Sequence, residues 1–362
     1  MEEAVIVRAG RTPICRQNKD LKDFQVHELL VPLLQKIGGD VATLIDDVMI
    51  SNAVTPGGNV ARMAVLAAGF PESIPGLTID RQCSGGLDTV RLAASLIESG
   101  AGTCYLVGAV ESASTLKRPR AHFTPREDGD PDMPAAAEHA ARHWHISRAE
   151  QDGYTVRTYN RAWRAHEAGF FQQEIISVGQ CSADEAFERR RPIEQLVNRA
   201  RPLEVAGTVT AANSCGIHDG AAVLLIMSRT LARKLSLRPS LIVIDGAAVG
   251  FSPQFPVFGP YRAISALLAR RHNFQLADVA YVEIIEAFAV KMVLTMKMLD
   301  LPETKVNIHG GALTLGHPYS ASGLILLVHL FYQARKSPFS YGIAASGSGG
   351  GVGSALLVNG MK

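Results

Sequence analysis

The chain has 362 residues, 47% hydrophobic and 19% charged, enough to bury a large core and to form two or three domain-sized units. Its 36 basic and 34 acidic residues leave a formal net charge of +2, which argues against nucleic acid or an anionic membrane as the main partner. Five cysteines (Cys15, Cys83, Cys104, Cys181 and Cys215) are odd in number, widely spaced and without a CxxC pair. They speak against a disulfide framework or a zinc site and for a reducing compartment.

In chain order, the start "MEEAVIVRAGRTP" lacks the charge pattern and apolar core of a signal peptide. Short β-branched runs then alternate with helical patterns. "EAVIVRAG", "DVMISNAV", "TCYLVGAV", "SLIVIDGAAVG", "YVEIIEAF" and "YGIAASG" read as buried strands. "VARMAVLAAGF", "GLDTVRLAASLIESG", "ADVAY" and "ASGLILLVHLFYQARK" read as helices or parts of them. The alternation predicts an α/β fold with buried sheets. Residues from Thr115 to Pro134 carry four prolines among charges and read as an exposed loop. Polar-faced helices follow, so 115 to about 205 looks inserted into one α/β unit. The most apolar stretches, "DGAAVLLIMS" and "ASGLILLVHLF", are too short to span a bilayer, and the expectation is a soluble cytoplasmic protein. A faint internal echo relates "CSGGLDTVRLAASLIESGAGTCYLVGA" to "HGGALTLGHPYSASGLILLVHLFYQARKSPFSYGIAASG", as two similar halves would.

Cys83 stands just before a helical pattern with Leu87, Val90, Ala94 and Ile97 on one face and Asp88, Arg91, Ser95 and Glu98 on the other. Unpaired N–H groups at a helix start lower a thiol's pKa, and Gly85 and Gly86 leave room for a substrate to approach the backbone. Against this stands a buried cysteine that merely packs. A base would decide between the two. His317, between Gly316 and Pro318 at a loop-to-helix junction, is the first candidate, and His309 the second. "ASGSGGGVGSALLV" is either an oxyanion hole of backbone amides or a plain tight hairpin.

These pieces, in this order, resemble the thiolase family. "RQCSGGLDTV" matches its nucleophile loop, "GAVESAS" the strand and turn after it, and "DMPAAAEHAARHWHISRAEQD" its substrate loop and helix. "GTVTAANSCGIHDGAAVLLIMS" is similar to its coenzyme A contact segment and "VEIIEAFA" to its Asn-Glu-Ala-Phe segment. "VNIHGGALTLGHPYSASG" resembles its glycine-histidine-proline loop, and "SGSGGGVG" its C-terminal glycine loop. The resemblance implies a five-layer αβαβα fold. Residues 1–114 with 206–238 would form one half, 239–362 the other, and 115–205 the inserted loop domain. It implies acyl-CoA thioester substrates, coenzyme A as substrate or product, no cofactor and no metal. Cys83 would take the acyl group, His317 would activate it, and the amides of Cys83 and Gly349 would hold the oxyanion. Asp132, Met133, Ala211, Ser214, Cys215 and Phe288 match substrate-channel positions, and Arg191 falls near the nucleotide-contact arginine. A loop from Ser114 to Asp132 shorter than in tetrameric members implies a homodimer.

Two family positions are substituted. Gly347 stands where the family has its second catalytic cysteine, the base that removes an α-proton, and Ile285 where it has the asparagine of an enolate oxyanion hole. Losing a base typically lowers a rate about 10²–10⁴-fold, and losing an oxyanion donor about 10²–10³-fold. Ser346, Ser348, His309 and Asp132 are candidate replacements, and Glu286 could orient a neighbour. Three functions follow: an acyl-CoA C-acyltransferase with a non-standard site; acyl transfer to another acceptor, or hydrolysis, without carbon–carbon chemistry; or a non-catalytic acyl-CoA-binding subunit of a hetero-partner.

Overall fold

β1 (Ala4–Arg11) is the seam of the molecule: it pairs antiparallel with β6 (His218–Ser228) on one side and β7 (Leu241–Gly250) on the other. The computed structural model describes residues 2–54, 58–115, 122–125, 130–272 and 274–361. The remaining strands are β2 (Cys15–Arg16), β3 (Asp47–Ser51), β4 (Gly76–Ile79), β5 (Cys104–Glu111), β8 (Tyr281–Ile284), β9 (Phe339–Ser348) and β10 (Val352–Gly360). The main path runs β4-β3-β5-β6-β1-β7-β10-β9-β8, with β2 added to β6.

The path repeats itself about its centre. β3 is parallel to β5, β5 antiparallel to β6, and β6 antiparallel to β1. Likewise β8 is parallel to β9, β9 antiparallel to β10, and β10 antiparallel to β7. The two halves meet where Val5 faces Ile242 and Ile6 faces Leu241. The echo in the sequence is therefore a structural duplication.

The helices are α1 (Val26–Gly38), α2 (Val60–Ala67), α3 (Gly85–Glu98), α4 (Met133–His143), α5 (Arg148–Glu167), α6 (Ile193–Arg199), α7 (Arg229–Lys234), α8 (Gly259–Ala269), α9 (Ala289–Leu299), α10 (Ala312–Leu315) and α11 (Ala321–Lys336). Strand alternation sorts them into layers. On β1, Ala4 and Ile6 point into a central core with Leu87, Val90, Leu324 and Leu327 of α3 and α11. Val5 and Val7 point the other way, onto Leu29, Leu33 and Val60 of α1 and α2. In the second half, Leu356 of β10 joins the central core. Its neighbours Ala355 and Leu357 face Ile264, Leu267, Val290 and Met292 of α8 and α9. Outer helices, sheet, central helices, sheet and outer helices make the five αβαβα layers.

The chain between β5 and β6 carries α4, α5 and α6. Ser147 and Glu150 form a reciprocal cap at the start of α5, and Tyr154 carries that helix onto the outer core of the second half. Three expectations change. "ADVAY" makes only a short turn, Leu276–Asp278, because five residues between loops cannot sustain a helix. β8 stops at Ile284, so Ile285 to Phe288 form a loop rather than strand. Asp88 is buried rather than solvent-facing, because α3 is covered on both sides. It accepts from Arg91 Nε and Ser354 Oγ, each at 2.8 Å. Wide spacing also hid one cysteine contact: the sulfurs of Cys15 and Cys181 lie 3.3 Å apart. Much of the 115–134 loop lies outside the described residues. Among those described, no helix is long and apolar enough to cross a membrane.

Candidate active site

Cys83 sits in a single helical turn, Gln82–Ser84, that runs directly into α3. The turn is bent by Gln82, whose φ of 51° is unusual for a side chain of that size. Asp80 holds the bend by accepting from the Gln82 backbone N–H at 2.7 Å and from its amide at 2.9 Å. Below, Ser348 Oγ accepts the Ser84 N–H at 2.9 Å, and the Ser84 hydroxyl bonds to those of both Ser346 and Ser348. Ser346 and Ser348 thus anchor the Cys83 turn to β9, their hydroxyls engaged with Ser84. The sequence suggested that Gly85 and Gly86 leave room for a substrate; in the fold they instead permit tight packing. A Cβ on Gly86 would lie 2.7 Å from Ser320 O, and one on Gly85 would meet Ser51 Oγ.

His317 lies before α11, the second central helix. A Cβ on Gly323 of α11 would come within 3.2 Å of the Cys83 carbonyl oxygen, so the two helix starts converge. His317 Nδ1 and Ser322 Oγ share a 2.6 Å hydrogen bond. With the proton on Nδ1, Nε2 is an acceptor. Burial drives the imidazole pKa down to about 3, with the charge of Lys291 adding to the effect. His317 is therefore neutral at physiological pH. Gly316 has φ of 107°, and a Cβ there would collide with the His218 ring, so this loop requires glycine twice over.

A strap from Asn213 to Ile217 draws the other loops in. Cys215 N–H donates to Ala287 O at 2.9 Å, Ser214 pairs with Phe288, and Ile217 pairs with His317. Met133, at the start of α4, shares an apolar cluster with Cys215 and Phe288. Asp132 directly precedes it, and Ala211 is exposed at the head of the strap. Ser214 Oγ is buried without a hydrogen-bond partner among the described residues. Tyr319, with φ of 30°, packs its ring 5.7 Å from that of His317.

The glycine loop turns between β9 and β10. A Cβ on Gly349 would lie 2.7 Å from the Phe123 ring, so a residue of the insertion covers this loop. At Gly347 a Cβ would lie 2.9 Å from Gly259 Cα, Pro256 O and Pro260 Cδ. The Gly347 carbonyl instead receives Lys291 Nζ at 3.1 Å. Lys291, in the first turn of α9, is wholly buried. Its charge meets Cys83, Cys215 and His317.

The place of Cys83 before a helix suggested a depressed thiol, and the shift is the opposite. Burial pushes it up to about 11, and nearby Lys291 offsets only part of this. Glu111, at the end of β5, is likewise pushed up to about 8 by burial, although it accepts the Ala53 N–H at 2.5 Å and the Ser320 hydroxyl at 2.8 Å. Burial therefore favours the neutral form of both the Cys83 thiol and the His317 imidazole.

Two sequence candidates are engaged elsewhere. His309 stacks on Phe170 at 3.7 Å and shares a 2.9 Å hydrogen bond with Gln333. Glu286 is buried and accepts from Tyr154, Thr158 and Asn307 at 2.6–2.8 Å, which ties α5 to the loop before α10. Ile285 is in the central core, beside a space of about 20 Å³ that also touches Gly316 and Ser322, room for one water at most. Arg191 is exposed before α6, its backbone N–H on Tyr159 at 2.6 Å. Its neighbour Arg190 instead joins Arg157, Arg161 and Arg164 around a surface cleft. Among the described residues, no three His, Cys, Asp or Glu side chains gather as metal ligands.

Residues 4–230 match the family described as "Thiolase, N-terminal domain", and 237–360 match "Thiolase, C-terminal domain". The chain belongs to the thiolase family of acyltransferases. It is 47% identical over 358 residues to the putative acetyl-CoA C-acetyltransferase YhfS of Bacillus subtilis, covering 98% of each chain. It is 40% identical over 381 residues to the putative acetyl-CoA C-acetyltransferase VraB of Staphylococcus aureus, covering 99% of each. Its fold superposes on the crystal structure of the Bacillus anthracis acetyl-CoA acetyltransferase with a TM-score of 0.93, at 30% identity, over 100% of this chain and 99% of that one.

In this thiolase, sequence reasoning missed Lys291, His218, Phe123 and Tyr319. Lys291 had a signal: it is the lone charge in the apolar run "AFAVKMVLTM", six residues after Ile285. Phe123 had none, because only the folded insertion brings it to Gly349.

Proposed function

We propose that this thiolase is an acetyl-CoA/3-oxoacyl-CoA C-acyltransferase that works through an acyl-Cys83 intermediate in a non-standard site. The observation that carries the reading is the convergence of the Cys83 turn and the His317 loop at the starts of α3 and α11. Neutral His317 takes the Cys83 proton at Nε2 as sulfur attacks the thioester carbonyl, which a thiol near pKa 11 requires. The amides of Cys83 and Gly349 hold the developing oxyanion. Coenzyme A leaves as thiolate and takes the proton from His317. Met133, Ser214, Cys215 and Phe288 line the channel for the thioester arm, with Asp132 and Ala211 at its edge. No described contact joins Arg191 to this cluster, so it has no part in the reading.

A second reading, acyl transfer to another acceptor or hydrolysis without carbon–carbon chemistry, is favoured by one observation. Gly347 has no room for a side chain, and Ile285 offers no polar atom. We further propose residues 1–114 with 206–238 and residues 239–362 as the two halves, 115–205 as the loop domain, and a cytoplasmic homodimer. The test is intact-protein mass spectrometry after incubation with acetyl-CoA and with acetoacetyl-CoA, following free coenzyme A. An acetyl adduct lost in Cys83→Ala is the expected result. Binding of both thioesters with neither adduct nor release overturns the reading in favour of a binding subunit.

A further inference from the structure

The unresolved chemical question is what removes the α-proton if carbon–carbon bonds are made. Lys291 lies beside the backbone of the substituted position. Its Nζ donates to the carbonyl oxygen of Gly347, the residue from which the family's cysteine base would project. Among the described residues this is its one hydrogen bond, whereas an ammonium brings three donors. A wholly buried ammonium with one acceptor is poorly compensated. The first turn of α9 adds to the difficulty, because helix N-termini disfavour cations. A neutral amine suits the place: one N–H satisfies Gly347 O and the lone pair is left for a proton. Burial lowers the lysine accordingly, and thiolate at Cys83 or Cys215 opposes that shift. The titratable groups that meet its charge are Cys83 and Cys215 from their loops and His317 from the start of α11.

We propose that Lys291 is a catalytic base of this thiolase, taking over through the Gly347 carbonyl position the α-proton abstraction that the family assigns to its second cysteine. The inference rests on the acyl-Cys83 reading. In the condensing direction, the neutral amine takes one α-proton of a second acyl-CoA and becomes ammonium. The resulting enolate carbon attacks the acyl-Cys83 carbonyl; a C–C bond forms and the C–S bond to Cys83 breaks. Cys83 leaves as thiolate and receives the proton from Lys291. Two acyl-CoA molecules thus yield one 3-oxoacyl-CoA and one coenzyme A thiol, with no redox partner. Substituting the cysteine therefore removes a side chain without removing a base.

The test measures two quantities in the full-length protein with acetyl-CoA: the Cys83 adduct by mass, and exchange of the acetyl hydrogens in D₂O by NMR. Lys291→Gln keeps a donor for Gly347 O, and Lys291→Arg places a permanent cation there; neither supplies a base. The expected result is at least about 10²-fold slower exchange in both variants, while the Cys83 adduct still forms, more slowly. In the native enzyme the exchange rate rises with pH to a plateau whose midpoint lies below the 10.5 of a free lysine. Exchange retained within about threefold in either variant overturns the assignment and leaves acyl-Cys83 standing. A native enzyme that acylates Cys83 without exchanging hydrogens overturns it too, in favour of acyl transfer alone. A native enzyme with no Cys83 adduct overturns both readings.

Discussion

His317 Nδ1 and Ser322 Oγ lie 2.6 Å apart, with Ser322 in the first turn of α11. When Ser322 accepts from Nδ1–H, Nε2 is left as the acceptor that the proposed proton transfer uses. Ser322→Ala leaves Nδ1 buried without that partner. A lost hydrogen bond of this kind is worth about 0.5–1.5 kcal/mol, and about 1.4 kcal/mol is tenfold in rate. Acylation of Cys83, timed by quenched-flow mass spectrometry, should slow by about 2–13-fold with the fold retained. An unchanged rate would mean that packing alone orients the ring.

The elevated thiol predicts an unusual labelling order. Cys83 is pushed up to about 11, and Cys104 and Cys215 to about 12, all chiefly by burial. Cys181 is lowered, mainly by its hydrogen bond from Cys15. At pH 7 without substrate, iodoacetamide should label Cys181 before Cys83. Since the thiolate reacts, Cys83 labelling should climb with pH and not level off below pH 9 or so. Lys291→Gln should move that climb to higher pH only over the range where Lys291 is protonated, because the ammonium, and not the neutral amine, favours the thiolate. Peptide mapping across the pH series reads all three. A Cys83 plateau near neutrality would instead mean a preformed thiolate.

The strands and central helices were legible because their chemistry is local. "ASGLILLVHLFYQARK" matches α11 residue for residue, and the β-branched runs of β1, β5 and β7 need no distant information. Cys83 and His317 were legible because glycines and a proline mark the backbone around them. What was not legible depends on partners far along the chain. The polar face assigned to Asp88 failed because Ser354 and Arg81 reach α3 from elsewhere. The thiol shift had the opposite sign because a helix start lowers a pKa only where burial does not outweigh it. Ser346 and Ser348 read as candidate replacement bases in sequence, because nothing local shows that both bond to the Ser84 hydroxyl.

Arg11 at the end of β1 is fully buried, with Nε on Glu174 at 2.8 Å and its other two nitrogens on Asp184 at 2.7 and 2.9 Å. It ties the insertion's far end to the central strand. Arg11→Met removes one cation and leaves two buried carboxylates, a change that destabilises by about 3–5 kcal/mol. Urea unfolding should show it. Burial already pushes Glu174 up to about 7 against the pull of Arg11, and without the arginine its carboxyl rises further. The unfolded chain then releases protons that the folded variant keeps, so the loss should be smaller at pH 5 than at pH 8. Equal losses at both would locate the damage in packing instead.

Gly347→Cys restores the family's residue and tests whether the site has closed around its absence. The new Cβ would lie 2.9 Å from Gly259 Cα, Pro256 O and Pro260 Cδ, two of them backbone atoms and one a proline ring. None is the end of a flexible side chain that swings away. Overpacking of this kind destabilises by about 1–3 kcal/mol, which thermal unfolding should register. The backbone must also shift at Gly347, whose carbonyl holds Lys291. Carbon–carbon activity should therefore fall rather than rise, even though a second cysteine has been supplied. Unchanged stability with faster condensation would show that the Pro256–Pro260 segment yields readily and that the cysteine works beside Lys291.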